Sequence, residues 1–296
     1  KKRTFLKTLG TVLASPLFIS SSNLINSEKE TINYPDFDSE FWYKIREHYE
    51  LTPDYINLES GYYNIIPKPT LLKHIKHIER VNIEGSFYMR NNLLIDKKSI
   101  TKRLAHFTGC NSDSLVITRN TTESLDLIIG GFPWTEGDEA IYAEQDYGAM
   151  QVMFEQVSKR YGVVNKIVSV PNHPKSDEEI VSLYQSQITS KTKLMMVCHM
   201  INITGQILPI KKICDMAHNH GVEVMVDGAH CIGHFDFKID DLNCDYYGSS
   251  LHKWLATPLG AGLLYVNPKH RAKIWPLLAD HNNDLNDINR LNHIGT

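Results

Sequence analysis

The chain has no excess of either charge, no cysteines at metal-binding spacing and no apolar run long enough to cross a membrane. Its 31 Lys and Arg against 34 Asp and Glu leave a net charge of −3. A nucleic-acid surface needs a basic stripe, and none is present. Five cysteines (Cys110, Cys198, Cys214, Cys231, Cys244) are scattered without a CxxC pair. That excludes a disulfide framework and points to buried free thiols. Cys214, His218 and His220 share one helical segment, but residues two apart face different sides of a helix, so no metal is expected. The N-terminal apolar stretch, residues 9–19, is broken by Pro16 and too short for stable membrane insertion. What remains is an ordinary globular composition, 42% hydrophobic and 22% charged over 296 residues.

The pattern that fills this composition is a regular alternation of strand and helix. Apolar, β-branched runs predict strands at residues 115–118, 140–143, 162–170, 193–199, 222–226, 245–249 and 262–266. Residues 56–63 read as a further strand running into a glycine turn, with Ser60, Gly61 and Asn64 open to a site. Helical spacing predicts residues 69–85, with Leu71, Leu72, Ile75, Ile78 and Val81 inward and His74 and His77 on the surface. A helix over 99–109 places Ile100, Leu104 and Phe107 inward, with Gly109 as its C-cap. Arg90 falls in a loop between these two. Asn120 with Glu123, and Ser176 with Glu179, read as capping boxes, and Pro209 as the first residue of a helix over 209–221. Such alternation predicts an α/β fold: a three-layer α/β/α arrangement around a mostly parallel central sheet. Ligands in these folds gather at the carboxyl ends of the strands. Thr121, Tyr147, Asn202 and Asp227 each follow a predicted strand, so four candidates fall on one rim.

The densest stretch is residues 222–266. A strand ends at Asp227, followed by Gly228, Ala229 and His230. Ser250-Leu251-His252-Lys253-Trp254 comes after the next strand, and a Pro/Gly turn leads into the last. A carboxylate at a strand end, and a lysine beside Ser, His and Trp, suit pyridoxal 5′-phosphate: the amine can bond the cofactor's aldehyde and the acid can hold its pyridine nitrogen protonated. The segments VDGAH, SLHKW and PLGAGLLYV, in that order, resemble the class V aminotransferase family of fold-type I pyridoxal-phosphate enzymes, in particular its isopenicillin N epimerase-like branch. The resemblance runs from about residue 56 to 296.

This resemblance implies roles residue by residue. Lys253 carries the cofactor and Asp227 pairs with its ring nitrogen. Thr121 and Thr122, which from spacing alone only start a helix, meet the phosphate together with Ser250 and His252. Tyr147 stacks on the ring. Asn202 and His230 lie near the ring oxygen, while His199 is either a core histidine or a ligand contact. Thr296, in a Gly-Thr pair, reaches the phosphate of a partner subunit, which implies a homodimer. The substrate is then an amino acid, and the freed lysine takes its Cα proton. Transamination or epimerisation, cysteine desulfuration or another lyase reaction, and an inactive cofactor-binding fragment all stay open.

The resemblance also sets expectations for the ends. Residues 28–67 form an N-terminal segment, 68–280 a cofactor-binding large domain, and 281–296 the start of a connection to a C-terminal small domain that the given chain lacks. Residues 1–27 resemble an export signal. Lys2-Arg3-Thr4-Phe5-Leu6-Lys7 is similar to a twin-arginine motif with Lys in place of the first Arg, so a periplasmic location is expected, with a cytoplasmic one as the alternative.

Overall fold

A computed structural model describes residues 39–279 and 284–291. Four helices precede the sheet: α1 (Ser39–Glu47), α2 (Lys68–Glu84), α3 (Ser86–Asn91) and α4 (Leu93–Thr108). The alternating part follows as β1 (Leu115–Thr118), α5 (Thr121–Gly131), β2 (Glu139–Ala143), α6 (Gly148–Tyr161), β3 (Val164–Val168), α7 (Asp177–Gln185), β4 (Thr192–Cys198), α8 (Ile210–Asn219) and β5 (Glu223–Asp227). Strands β6 (Tyr246–Ser250) and β7 (Gly262–Val266) complete it.

The seven strands form one sheet in the order β1-β7-β6-β5-β4-β2-β3. β3, β2, β4, β5 and β6 run parallel. β7 is antiparallel to both its neighbours, β6 and β1. The turn at residues 258–261 explains the reversal: a short connection returns the chain beside β6 pointing back, whereas a parallel neighbour needs a crossover of a dozen or more residues. The chain leaves β2 towards β3 on one side, then returns to place β4 on the other side of β2. The loops after β2 and β4 therefore diverge and open a crevice at the carboxyl ends of these strands.

The side chains show why both faces are covered. Along β2, Ala140 and Tyr142 belong to one core cluster and Ile141 and Ala143 to the other. Along β4, Leu194 and Met196 join the first, Met195 and Val197 the second. Leu125 and Ile128 of α5 and Phe154 of α6 cover the first face; Tyr184 of α7 and Ile213 of α8 cover the second. Strands buried on two sides read as continuous apolar runs, as these do.

Several sequence expectations need correction. Residues 56–63 form no strand: Ile56 and Leu58 are exposed at 86% and 89%, and a turn begins at Ser60. Arg90 lies in the short helix α3, not a loop. Helix α2 exists, but its apolar stripe faces outward: Leu72 and Ile78 are 59% and 55% exposed, and none of its residues is buried. In α4, Leu104 packs against the core while Ile100 and Phe107 are about half exposed. Pro209 sits at the N-cap of α8 rather than inside its first turn. Both capping boxes are displaced by one residue. Asn120 Oδ1 accepts from Glu123 N (2.8 Å), but the Glu123 carboxylate takes the N–H of Arg119 (2.6 Å). Glu179 likewise takes the N–H of Lys175 at 2.6 Å.

Away from the carboxyl rim, Asp245 is fully buried just before β6. Its carboxylate accepts from Nε2 of His218 and of His270, each at 2.7 Å, and from Val224 N at 2.8 Å. Lys269 Nζ lies 3.0 Å away. Burial works against ionisation, but the bonds from His270, Val224 N and His218 outweigh it and hold the carboxyl well below its usual range. A depressed carboxyl stabilises the fold above its unfolded value, near 3.9, and that contribution fades as pH falls through the folded value. Asp245→Ala leaves two imidazoles facing an empty pocket. The expected cost at neutral pH is about 3–5 kcal/mol in urea unfolding, shrinking towards zero in acid. A loss below about 1 kcal/mol would show the cluster to be ornamental.

Candidate active site

The crevice holds a cavity of about 840 Å³ at the carboxyl ends of the parallel strands. Thr121, Thr122, Ser250 and His252 line it at one end. Asp227, His230, Lys253, Tyr147 and Asn202 line it as well. The described residues to which the resemblance gives a cofactor role thus line one cavity, whereas Ser60, Asn64 and His199 do not. Thr296 lies outside the described residues.

Each is positioned for a local reason. Strand β5 ends on Asp227, which is 3% exposed, and its Oδ1 accepts from Ala229 N at 2.9 Å. The chain turns here because Gly228 has no side chain: a Cβ at this position would lie 2.1 Å from the Tyr247 ring. Burial pushes the Asp227 carboxyl up, against the Ala229 hydrogen bond and the Lys253 charge. Lys253 follows β6 in a turn, and burial lowers its amine while the Asp227 carboxylate pulls the other way. A lysine lowered in this way is a better nucleophile than one at about 10.4.

The far end of the cavity is a polar cup. Ser250 Oγ, at the end of β6, accepts from Thr121 N at 2.9 Å and shares a second bond with Thr121 Oγ1 at 2.7 Å. This ties a strand end to the amino terminus of α5, where backbone N–H groups and the helix dipole favour an anion. His252 Nδ1 is buried there without a hydrogen-bond partner. The backbone carbonyl of His252 accepts from Asn64 N at 3.2 Å, which holds the 58–63 segment over the cavity. Gly61 of that segment lines the cavity, as do Tyr62 and Tyr63; Ser60 and Asn64 are not among its lining residues.

His199 resolves to the core alternative. It is 4% exposed, bonded through Nδ1 to Tyr247 OH at 3.1 Å, and set edge-on to Phe235 and Phe237. Burial pushes its imidazole down to about 4, so it is neutral at physiological pH.

Three residues near the centre were not singled out from the sequence as site residues. Asp146, next to Tyr147, is 5% exposed; its Oδ2 accepts from Ala143 N at 2.7 Å and its Oδ1 has no partner. Burial, opposed by the Ala143 bond and reinforced by the Asp227 charge, pushes its carboxyl up to about 8. Asp146 is therefore neutral when Asp227 is charged. Trp254 Nε1 donates to His230 Nδ1 at 3.2 Å, and His230 Nε2 lies 3.1 Å from Lys253 Nζ. His234 stacks on Trp254 with ring centroids 3.9 Å apart and planes 10° from parallel. A histidine four residues beyond His230 and a tryptophan adjoining Lys253 were the available signals, but only the turn geometry joins them.

The class V aminotransferase family model matches residues 83–284, which spans Thr121, Asp227 and Lys253 together. The chain belongs to the aminotransferase class-V family. Among its relatives, the isopenicillin N epimerase of Amycolatopsis lactamdurans is 28% identical over 233 residues, covering 76% of this chain and 57% of that protein. A probable cysteine desulfurase of Halalkalibacterium halodurans is 29% identical over 179 residues, covering 60% of this chain and 43% of that protein. A solved structure of a C-DES mutant with glycine covalently linked to its PLP cofactor superposes with a TM-score of 0.71 at 23% identity, covering 79% of this chain and 62% of that one. That likeness establishes the fold. The chain thus spans less than two thirds of the length of these three proteins.

Pyridoxal 5′-phosphate is the cofactor of this class-V chain, and the residues present fit it. A cup of hydroxyls and a helix start faces one end of the cavity, with the orphaned His252 Nδ1 beside it. A buried acid and a lowered amine line the cavity together. Tyr147, half exposed at 49%, lines the cavity with a ring that can stack. Among the described residues no helix is long and apolar enough to cross a membrane.

Proposed function

We propose that the chain acts on an amino acid by removing its Cα proton, as an aminotransferase- or epimerase-like enzyme of its family. The observation that carries this reading is Asp227 and Lys253 in one cavity, each shifted by burial towards its neutral form and each opposed by the other's charge. Bound pyridoxal 5′-phosphate supplies an electron sink for the charge left on Cα. Asp227 would pair with the ring nitrogen, and the nearby Asp146, whose carboxyl burial pushes up to about 8, would leave that charge uncontested. Thr121, Thr122, Ser250 and His252 hold the phosphate end. Tyr147 fixes the ring plane through its face. Asn202 and His230 orient the ring oxygen. Lys253, with its amine free, would be the base that takes the Cα proton.

The relatives include both an epimerase and a desulfurase, so the lyase reading is the alternative. Cys198 lines the cavity, but burial raises its thiol well above the ordinary range, which makes it a poor nucleophile. That favours proton-transfer chemistry among the described residues. The test is a panel of L-amino acids in D2O. Loss of the Cα–H signal, with keto-acid formation or inversion, is expected. Sulfide or persulfide release from L-cysteine without Cα exchange elsewhere would favour the lyase. No Cα exchange and no product from any substrate would favour a cofactor-binding fragment. The same proposal includes a homodimer with Thr296 near the partner's phosphate, and export through the N-terminal segment. Light scattering of the full-length protein and fractionation of expressing cells test these two points.

A further inference from the structure

His230 has two ring nitrogens, and each faces a nitrogen. Nδ1 lies 3.2 Å from Trp254 Nε1 and Nε2 lies 3.1 Å from Lys253 Nζ. An indole N–H can only donate. Nδ1 must therefore be the lone-pair nitrogen, and the proton of neutral His230 sits on Nε2. That N–H points at Lys253 Nζ, which can accept only as a neutral amine. The opposite assignment, Nδ1–H with an ammonium donating to Nε2, sets two N–H groups head to head at Trp254. An imidazolium does the same.

The indole is itself held. His234 stacks on one face of it and, through Nδ1, donates to the His230 carbonyl at 2.9 Å. Gly61 lies against the pair: a Cβ there would come within 3.2 Å of His230 Cε1 and 3.4 Å of Trp254 Cζ2. The tautomer of an active-site imidazole is set by whatever its other nitrogen meets. We propose that Trp254 is a positioning residue that locks His230 in its Nε2–H form, so that His230 donates to Lys253 and keeps that lysine in its reactive, uncharged state. His234 and Gly61 hold Trp254 in place. The consequence for catalysis rests on the reading of Lys253 as the cofactor lysine; the tautomer itself does not.

Burial is the main cause that pushes the His230 imidazole down to about 4, which agrees with a neutral ring at physiological pH. The test uses the full chain labelled with 15N-histidine, the His230 signal being assigned by its loss in His230→Gln. Before any cofactor is added, the His230 spectrum is expected to show a protonated Nε2 and an unprotonated Nδ1. Trp254→Phe keeps the ring and its stack but removes the N–H. It is expected to mix the two tautomers. It should also move the pH midpoint of pyridoxal-phosphate capture upward and slow capture at neutral pH about two- to tenfold, the factor one hydrogen bond is worth. A protonated Nδ1 in the wild-type spectrum overturns the proposal without any variant. So does a Trp254→Phe protein that melts earlier but keeps its tautomer and pH midpoint, because Trp254 is then only a packing residue. Failure of the wild-type chain to capture cofactor at any pH would instead overturn the functional reading.

Discussion

Lys253→Ala is expected to abolish turnover and leave the fold standing. A positioned general base is worth about 10²–10⁴-fold, and Lys253 is also the covalent anchor, so the loss should reach at least the upper part of that range. The stability cost is small: the hydrogen bond lost is the one between His230 Nε2 and Lys253 Nζ, 3.1 Å long, worth about 1 kcal/mol. Lys253 has no ion-pair partner within salt-bridge distance among the described residues, and burial disfavours its charged form. Truncation therefore removes an amine the fold accommodates at some cost. The melting temperature should fall by no more than a few degrees, while cofactor absorbance and Cα exchange disappear together. An active Lys253→Ala protein would move the chemistry to another residue.

Asp227→Asn should separate function from stability more sharply still. The substitution keeps the shape and the acceptor for Ala229 N, but it removes the charge facing the ring nitrogen. Stripping one partner from a buried charge pair costs about 3–5 kcal/mol, equivalent to roughly 10²–10⁴-fold in rate. The free protein responds the other way. Burial raises the Asp227 carboxyl, so an amide there relieves a desolvation penalty, and urea unfolding of the cofactor-free variant should show equal or greater stability. A variant with unchanged rate would remove Asp227 from the mechanism. A variant that fails to fold would show the acid to be structural first.

The carboxyl rim was legible because its signals are local. Asp227 closes an apolar run, Thr121 opens a helix after Asn120, and Lys253 follows a strand; chain order alone sets them on one edge. His230, Ser250 and His252 followed from the resemblance. What escaped the sequence depends on packing. The stripe of α2 has the period of a core helix, yet Leu72 and Ile78 face outward within this chain. Alternation at Ile56 and Leu58 mimics a strand, yet both side chains stay exposed and the segment joins neither edge of the sheet. The histidines on Asp245 come from α8 and from the segment after β7, and a sequence shows nothing of their meeting. Trp254 and His230 meet for the same reason, through two turns whose close approach depends on Gly228 and Gly233.

One measurement bears on the centre of the account. Borohydride reduction of the pyridoxal-phosphate-loaded protein, followed by proteolysis and mass spectrometry, fixes the cofactor to whichever lysine holds it. The account predicts a single modified peptide carrying the label on Lys253. Label on another lysine, or none on Lys253 at full cofactor occupancy, would contradict it.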